Sequence, residues 1–173
     1  MSIVTKRRSV RKFDLTKKIP DSILEELIMA GEEAPRARRQ DSREYVIINK
    51  QEIINELAKI YKCTMIIEEC NTMIGVIGKN PDDLPCPSFQ PIDLACATEN
   101  IMVEAVNKGI GSVMLGTYPD KERVEKANNI LGINDGRFVF TFICFGYPID
   151  KDCFYEKNQK PIMKKGKFLS KND

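Results

Sequence analysis

The residues best equipped for chemistry stand near the start of the chain. Lys6–Phe13 reads KRRSVRKF, and four of its first six residues are Lys or Arg around one hydroxyl, Ser9. Guanidinium groups take phosphate through paired N–H donors in a planar fork, and a serine adds a neutral donor. In an extended segment Arg7, Ser9 and Arg11 share one face, and Val10 turns to the other. Such a cluster serves either as a basic arm for nucleic acid or targeting, or as a built anion site. The segment runs into Phe13 and then a well-formed helical pattern, not into a linker, which favours the built site.

Composition narrows the chemistry further. A chain of 173 residues holds one domain by default, and a hydrophobic share of 42% suffices for a core. With a net charge of only +2, any anion site is local, and nucleic acid is not an expected partner. No apolar run is long enough to span a bilayer, and the first residues lack a charged-then-apolar signal pattern. The expected setting is therefore cytoplasmic, away from membranes. The six cysteines, Cys63, Cys70, Cys86, Cys96, Cys144 and Cys153, form no CxxC, and the chain has no histidine. That argues against a zinc site, an iron–sulfur cluster or any other metal, and it removes Ser-His-Asp and Cys-His mechanisms. Cys96 and Cys144 lie in apolar runs, where a reduced thiol acts as a small hydrophobe. Enzymatic chemistry on such a chain belongs to a cofactor.

The elements that must position the basic segment follow from periodicity. Pro20–Ala30 reads as a helix, with Ile23, Leu24, Leu27 and Ile28 as its stripe, Ser22 and Glu25 at capping-box spacing, and Gly31 as a stop beyond which Glu32–Ala34 could extend it a little. Pro35 opens a basic loop, PRARRQDSR, before a strand at Tyr45–Ile48. Gln51–Tyr61 is a second helix and Thr72–Ile77 a second strand. Asn80–Gln90, with three prolines, is a loop. Pro91–Lys108 is the longest helical pattern, with Pro91 suited to its first turn and Asp93 to its dipole. Its apolar residues wrap much of the cylinder, as in a helix buried on more than one side. Gly109 ends it. A strand at Gly111–Leu115 runs into Gly116-Thr117-Tyr118, Asp120–Leu131 is a helix stopped by Gly132, and Phe138–Phe145, apolar on both faces, is a central strand.

In this order RRSVRKF, PDSILEELIMAGEEAP, YVIIN, DLACATENIMVEAVNKGIGSVMLG, VEKANNILGI and FVFTFICFGYP closely resemble the nitroreductase family of FMN flavoproteins, over about residues 4 to 150. The resemblance implies an α+β sandwich, with a central, mainly antiparallel sheet flanked by helices. It implies a single FMN-binding domain over residues 1–173, with 150–173 as a basic C-terminal tail, and a homodimer with FMN at the subunit contact. Arg7, Arg8, Ser9 and Arg11 are then flavin ligands. Arg7 and Arg8 grip the phosphate, Ser9 orients the ribityl region, and Arg11 lies by the N1/O2 edge, where a fixed cation stabilises the reduced ring. Leu115, Gly116 and Thr117 match the turn whose backbone N–H groups face flavin N5 and O4. Arg11, Gly116 and Thr117 are accordingly the residues implied in catalysis. The competing reading of Gly116 is that it only closes a tight turn. Lys157 and Lys160 match the family's C-terminal phosphate ligands.

The main departure lies at Pro35–Arg43. The family's A-P-S-x-x-N-x-Q-P-W becomes A-P-R-A-R-R-Q-D-S-R, so Pro35 is kept while Arg36 and Arg39 replace the Ser and Asn beside the flavin. Arg36, Arg38, Arg39 and Arg43 either crowd the pocket mouth and draw anions, or form a solvated loop paired with Asp41 and Glu44. The activity implied is electron transfer from NAD(P)H to a nitroaromatic or quinone acceptor by a ping-pong hydride mechanism. Two alternatives stand beside it: a specialised flavin reaction such as reductive dehalogenation or flavin fragmentation, and a flavin-binding protein without catalysis.

Overall fold

A computed structural model describes residues 2–61 and 70–156. Four strands, β1 (Arg43–Ile48), β2 (Thr72–Gly78), β3 (Gly111–Gly116) and β4 (Phe138–Gly146), form a sheet in the order β1-β2-β4-β3. Each neighbouring pair is antiparallel. The two central strands carry the most apolar sequences. TMIGVIG is buried at every residue and FVFTFICFG at all but Phe138 and Phe140, as a strand covered on both faces requires.

Around the sheet stand α1 (Ile3–Lys6), α2 (Asp21–Glu32), α3 (Gln51–Ala58), α4 (Gln90–Asn107) and α5 (Lys121–Leu131). Alternation along the strands sends Met73, Ile77, Val113, Leu115, Phe142 and Cys144 to one layer, with Ile54 and Leu57 of α3 and Ala127 of α5. Ile74, Val76, Ile143 and Phe145 face the other layer, with Leu24 and Leu27 of α2 and Leu94, Ile101 and Ala105 of α4. The result is the α+β sandwich, with helices over both faces of an antiparallel sheet.

Two local expectations change, and one left open is decided. The capping box of Ser22 and Glu25 does not form, because the helix begins two residues earlier, with Pro20 as N-cap and no side-chain cap. Gly31 lies inside α2, which takes the open extension as far as Glu32. A Cβ there would stand 2.8 Å from the Tyr45 hydroxyl and 2.9 Å from Ile101, so this glycine serves the close approach of α2 to α4 and β1. α3 ends at Ala58, and the chain tightens to three-residue hydrogen bonds that reach Tyr61. At α5 the signals act as read: the Asp120 carboxylate accepts from the Arg123 N–H at 3.2 Å, and Gly132 ends the helix at φ 69°.

The basic entry segment docks along the free edge of β3. The Val10 N–H donates to the Ser112 carbonyl at 2.9 Å, and Ser9 pairs with Ser112 in the parallel sense. Farther on, the Asp14 N–H donates to the Tyr147 carbonyl at 2.8 Å. Val10 and Phe13 are buried in the layer of α3 and α5. Two glycines make the room. Gly111 and Gly146 face each other across β3 and β4. A Cβ at Gly111 would stand 2.8 Å from Val10 Cβ, and one at Gly146 would stand 2.6 Å from Phe13 Cβ. Overpacking of this kind costs about 1–3 kcal/mol. Gly146→Ala is therefore expected to lower the urea midpoint by that amount of stability. Gly116→Ala, whose Cβ would meet nothing within 4 Å, should leave the midpoint in place. Equal midpoints for the two variants would contradict the close seating of Phe13 on Gly146.

Candidate functional site

Docking on β3 fixes the alternation of the entry segment. Ser9 and Arg11 are exposed, Arg7 and Arg8 half-buried, and Val10 buried. With Lys12 and Tyr155 they line an open depression of about 470 Å³. The three guanidinium groups are differently engaged. Arg7 Nε meets Glu99 Oε1 of α4 at 2.9 Å. Arg8 donates to the carbonyls of Arg7 and Thr5 and lies 4.9 Å over the Tyr155 ring, while its buried Nε has no partner. Arg11 donates to the Ser9 carbonyl at 3.2 Å and is otherwise turned to solvent. Arg7 and Arg8 thus point different ways, one to α4 and one to its own backbone, and Arg11 with Ser9 presents the open donors. Ser112, the strand partner of Ser9, keeps a buried hydroxyl with no partner.

β3 carries the site from Ser112 to Gly116, about 13 Å at roughly 3.3 Å per residue. The Leu115 side chain lies in the core, and its carbonyl accepts from the Thr141 hydroxyl at 2.8 Å, so Leu115 offers a ligand no side chain. Gly116 is exposed, open space faces its missing Cβ, and its φ is not positive. Neither packing nor turn geometry within the chain demands a glycine there, which weakens the tight-turn reading. Thr117 is buried, and its hydroxyl pairs with the Tyr61 hydroxyl at 2.6 Å. Burial pushes the Tyr61 hydroxyl up to about 12. Arg123, from the first turn of α5, donates to the Gly116 carbonyl at 3.0 Å, pairs with Asp120 at 3.2 Å, and stands 5.6 Å over the Tyr61 ring. Sequence reasoning missed Tyr61 and Arg123 as site residues. A tyrosine closing an apolar stripe and an arginine in a charge-rich helix carry no signal of their own.

The loop after α2 is held from below by one carboxylate. Asp93, buried in the first turn of α4, accepts from the Ala37 N–H at 2.9 Å and from Gln40 Nε2 at 2.7 Å. Gln40 in turn accepts from the Cys86 N–H at 3.0 Å. Asp93 therefore does more than face the helix dipole. Above it Arg38 and Arg39 adopt φ of 48° and 57°, a left-handed conformation costing on the order of 1–3 kcal/mol for each such residue. Arg36 pairs with Glu32 at 3.5 Å, and Pro35 is exposed beside it.

Arg43 departs from the reading of a crowded pocket mouth. Its side chain is fully buried and donates to the carbonyls of Glu32 at 2.7 Å, Ala34 at 2.9 Å and Asp93 at 3.3 Å. The Glu32 carbonyl at the end of α2 and the Ala34 carbonyl just past it have no partner from the helix itself, and the guanidinium fork supplies one to each. Asp41 and Glu44 do not neutralise the loop either. Asp41 pairs with Lys79, and Glu44 pairs with Arg137 at 2.7 Å. Arg38 and Arg39 are exposed and have no carboxylate partner among the described residues. Lys157, Lys160 and the tail beyond them, like Cys63, lie outside the described residues.

The donor set suits a phosphate-bearing ligand: arginines, a lysine and a serine around one depression, with a strand that ends in an open glycine. The nitroreductase family model matches residues 4–71, which include this segment, α2 and the loop after it. A protein of Archaeoglobus fulgidus, provisionally named NADH dehydrogenase/NAD(P)H nitroreductase, is 28% identical over 165 residues, or 92% of this chain and 91% of its own. A crystal structure from Clostridium acetobutylicum, provisionally named NADH oxidase, aligns with a TM-score of 0.86 at 26% identity, over 92% of this chain and 95% of its own. The NADPH:FMN oxidoreductase of Vibrio harveyi, solved with NAD+, shares the fold, with a TM-score of 0.80 at 20% identity over 98% of this chain and 78% of its own.

The two roles of arginine in this region separate by stability. Arg43→Ala removes the donor to the Glu32 and Ala34 carbonyls, each costing about 1–3 kcal/mol when left unpaired, and should lower stability by about 2 kcal/mol or more in chemical denaturation. Arg39→Ala removes an exposed side chain and should stay within about 0.5 kcal/mol of the parent. Similar effects for both would contradict the buried fork.

Proposed function

We propose that the chain, which matches the nitroreductase family model over residues 4–71, is a nitroreductase-like, FMN-dependent oxidoreductase carrying electrons from NAD(P)H to a small acceptor of the nitroaromatic or quinone class. The observation that carries the reading is the arrangement on β3. One strand holds the arginine–serine segment at its start and the open Gly116, followed by the buried Thr117, at its end.

Bound FMN supplies the redox chemistry, accepting hydride from the nicotinamide and passing two electrons to the acceptor. The residues of the chain do the rest. Arg11 holds a positive charge for the N1/O2 edge, where reduction leaves negative charge. Ser9, Arg7 and Arg8 serve the ribityl and phosphate end, with Lys157 and Lys160 of the tail completing it. Gly116 leaves room for the ring, and Thr117 supplies a backbone N–H. Residues 1–173 act as one flavin domain with a basic tail from 150 onward.

We read the assembly as a homodimer. The outer face of α4 carries exposed Ile92 and Ala95, with exposed Phe89 just before it, an apolar stripe that a second copy would cover. Pro35, Arg36 and Arg39 then face the flavin of the other subunit. Arg38 and Arg39, without carboxylate partners among the described residues, raise local positive potential there and favour NADPH or carboxylate-bearing acceptors. The described cysteines are free thiols, which fits the reducing cytoplasm.

The purified protein should be yellow with bound FMN, and NADH or NADPH without oxygen should bleach the flavin band quickly. Arg11→Ala should lower the reduction potential more than it lowers affinity, since charged hydrogen bonds contribute roughly 1.5–3 kcal/mol each. A colourless protein that takes up no added FMN would sink the reading. Slow bleaching of a well-loaded protein would leave a flavin-binding protein without catalysis, and a stable flavin-loaded monomer in light scattering would remove the dimer.

A further inference from the structure

Two side chains hold the Gly116–Thr117 pair, Arg123 at the Gly116 carbonyl, to which it donates at 3.0 Å, and Tyr61 at the Thr117 side chain, whose hydroxyl it meets at 2.6 Å. Both holders are themselves fixed: Arg123 pairs with Asp120 at 3.2 Å and lies 5.6 Å over the Tyr61 ring. A trans peptide points its carbonyl and its following N–H in opposite directions. With the carbonyl bound to α5, the Thr117 N–H is turned away from α5. It makes no hydrogen bond among the described residues. Thr117 is only 1% exposed, so its side chain is seated in the protein while the neighbouring Gly116 is open.

We propose that Tyr61 and Arg123 are positioning residues that aim the Thr117 N–H at the flavin and thereby help set its reduction potential. The inference rests on the flavin reading above. Neither side chain touches the ligand; Arg123 acts through the Gly116 carbonyl and Tyr61 through the seated Thr117 side chain. A donor fixed before the ligand arrives needs no reorganisation when charge moves. Hydride transfer places a hydrogen on N5, so a donor held toward that atom favours the oxidised ring, whose N5 only accepts. Loosening the peptide should therefore raise the potential.

The test uses the FMN-loaded protein and two conservative variants, Tyr61→Phe, which keeps the ring, and Arg123→Lys, which keeps the charge. For each, FMN affinity is read by fluorescence titration, the midpoint potential by dye equilibration, and the melting temperature by calorimetry. Both variants should raise the potential, with a three- to tenfold change in the two-electron equilibrium constant, about 15–30 mV, and a smaller factor in affinity. The double variant should shift it by less than the sum, because both residues hold the one Gly116–Thr117 pair. Lys126→Gln, on the solvent side of α5 and paired with Glu122, should leave the potential unchanged. Normal FMN binding with unchanged potentials in both variants, even with lower melting temperatures, would overturn the inference and leave the flavin reading standing. Wild-type protein that takes up no FMN would overturn both.

Discussion

The seating of Val10 and Phe13 over the Gly111–Gly146 pair is the contact on which the site depends. A run of four cations within six residues repels itself and, left free, would extend into water. Burying Val10 and Phe13 anchors it to the sheet, with each fully buried apolar side chain contributing about 1.5–3 kcal/mol. The backbone then has no freedom to rotate, so Ser9 and Arg11 must face outward. Side chains at the two glycines would push the segment off the sheet edge. An absence of atoms in the core thus decides the presentation of charge at the surface.

A second constraint is the satisfaction of buried polar groups where α2, the arginine-rich loop, β1 and α4 meet. Arg43 takes the carbonyls that α2 leaves open, and Asp93 takes the donors of the loop. The two residues also meet, through the Asp93 carbonyl and the Arg43 guanidinium, at 3.3 Å. A buried cation and a buried anion are tolerable only when their hydrogen bonds are completed, and here backbone groups complete them together with the Gln40 amide and the Glu32 carboxylate. The left-handed pair Arg38–Arg39 is a strained conformation held by this network. The loop that departs from the family pattern is therefore firmly based, and its exposed charges project from a fixed platform.

β3 joins these parts to the chemistry proposed for them. As an edge strand it has one side free to pair with the entry segment, and its far end is free to approach a ligand. Ser112, Met114 and Gly116 lie on one face and Val113 and Leu115 on the other, so the same strand contributes core packing and an open backbone surface. The partners of Arg7 and Arg8 show that the segment is already electrostatically engaged. Arg7 is held by Glu99 and Arg8 by its own backbone, so a phosphate proposed to bind there would compete with both.

What the sequence determined by itself is local and periodic. The two-residue period of the entry segment placed Ser9 and Arg11 opposite Val10, and the apolar runs of β2 and β4 marked them as covered strands. Gly132 could be read as a helix stop because a left-handed φ is a property of one residue. The tertiary structure decided everything that depends on residues meeting from far along the chain. Arg43 looked like its neighbours in a basic loop until Asp93, 50 residues on, was placed beside it. Gly31 looked like a stop until α4 was packed against it. Tyr61 and Thr117, 56 residues apart, share a hydrogen bond that no spacing announces. Side-chain identity and local period set what a residue can do. Which partner it finds is set by the packing of helices and strands, which brings distant residues within hydrogen-bond range and leaves adjacent ones on opposite faces.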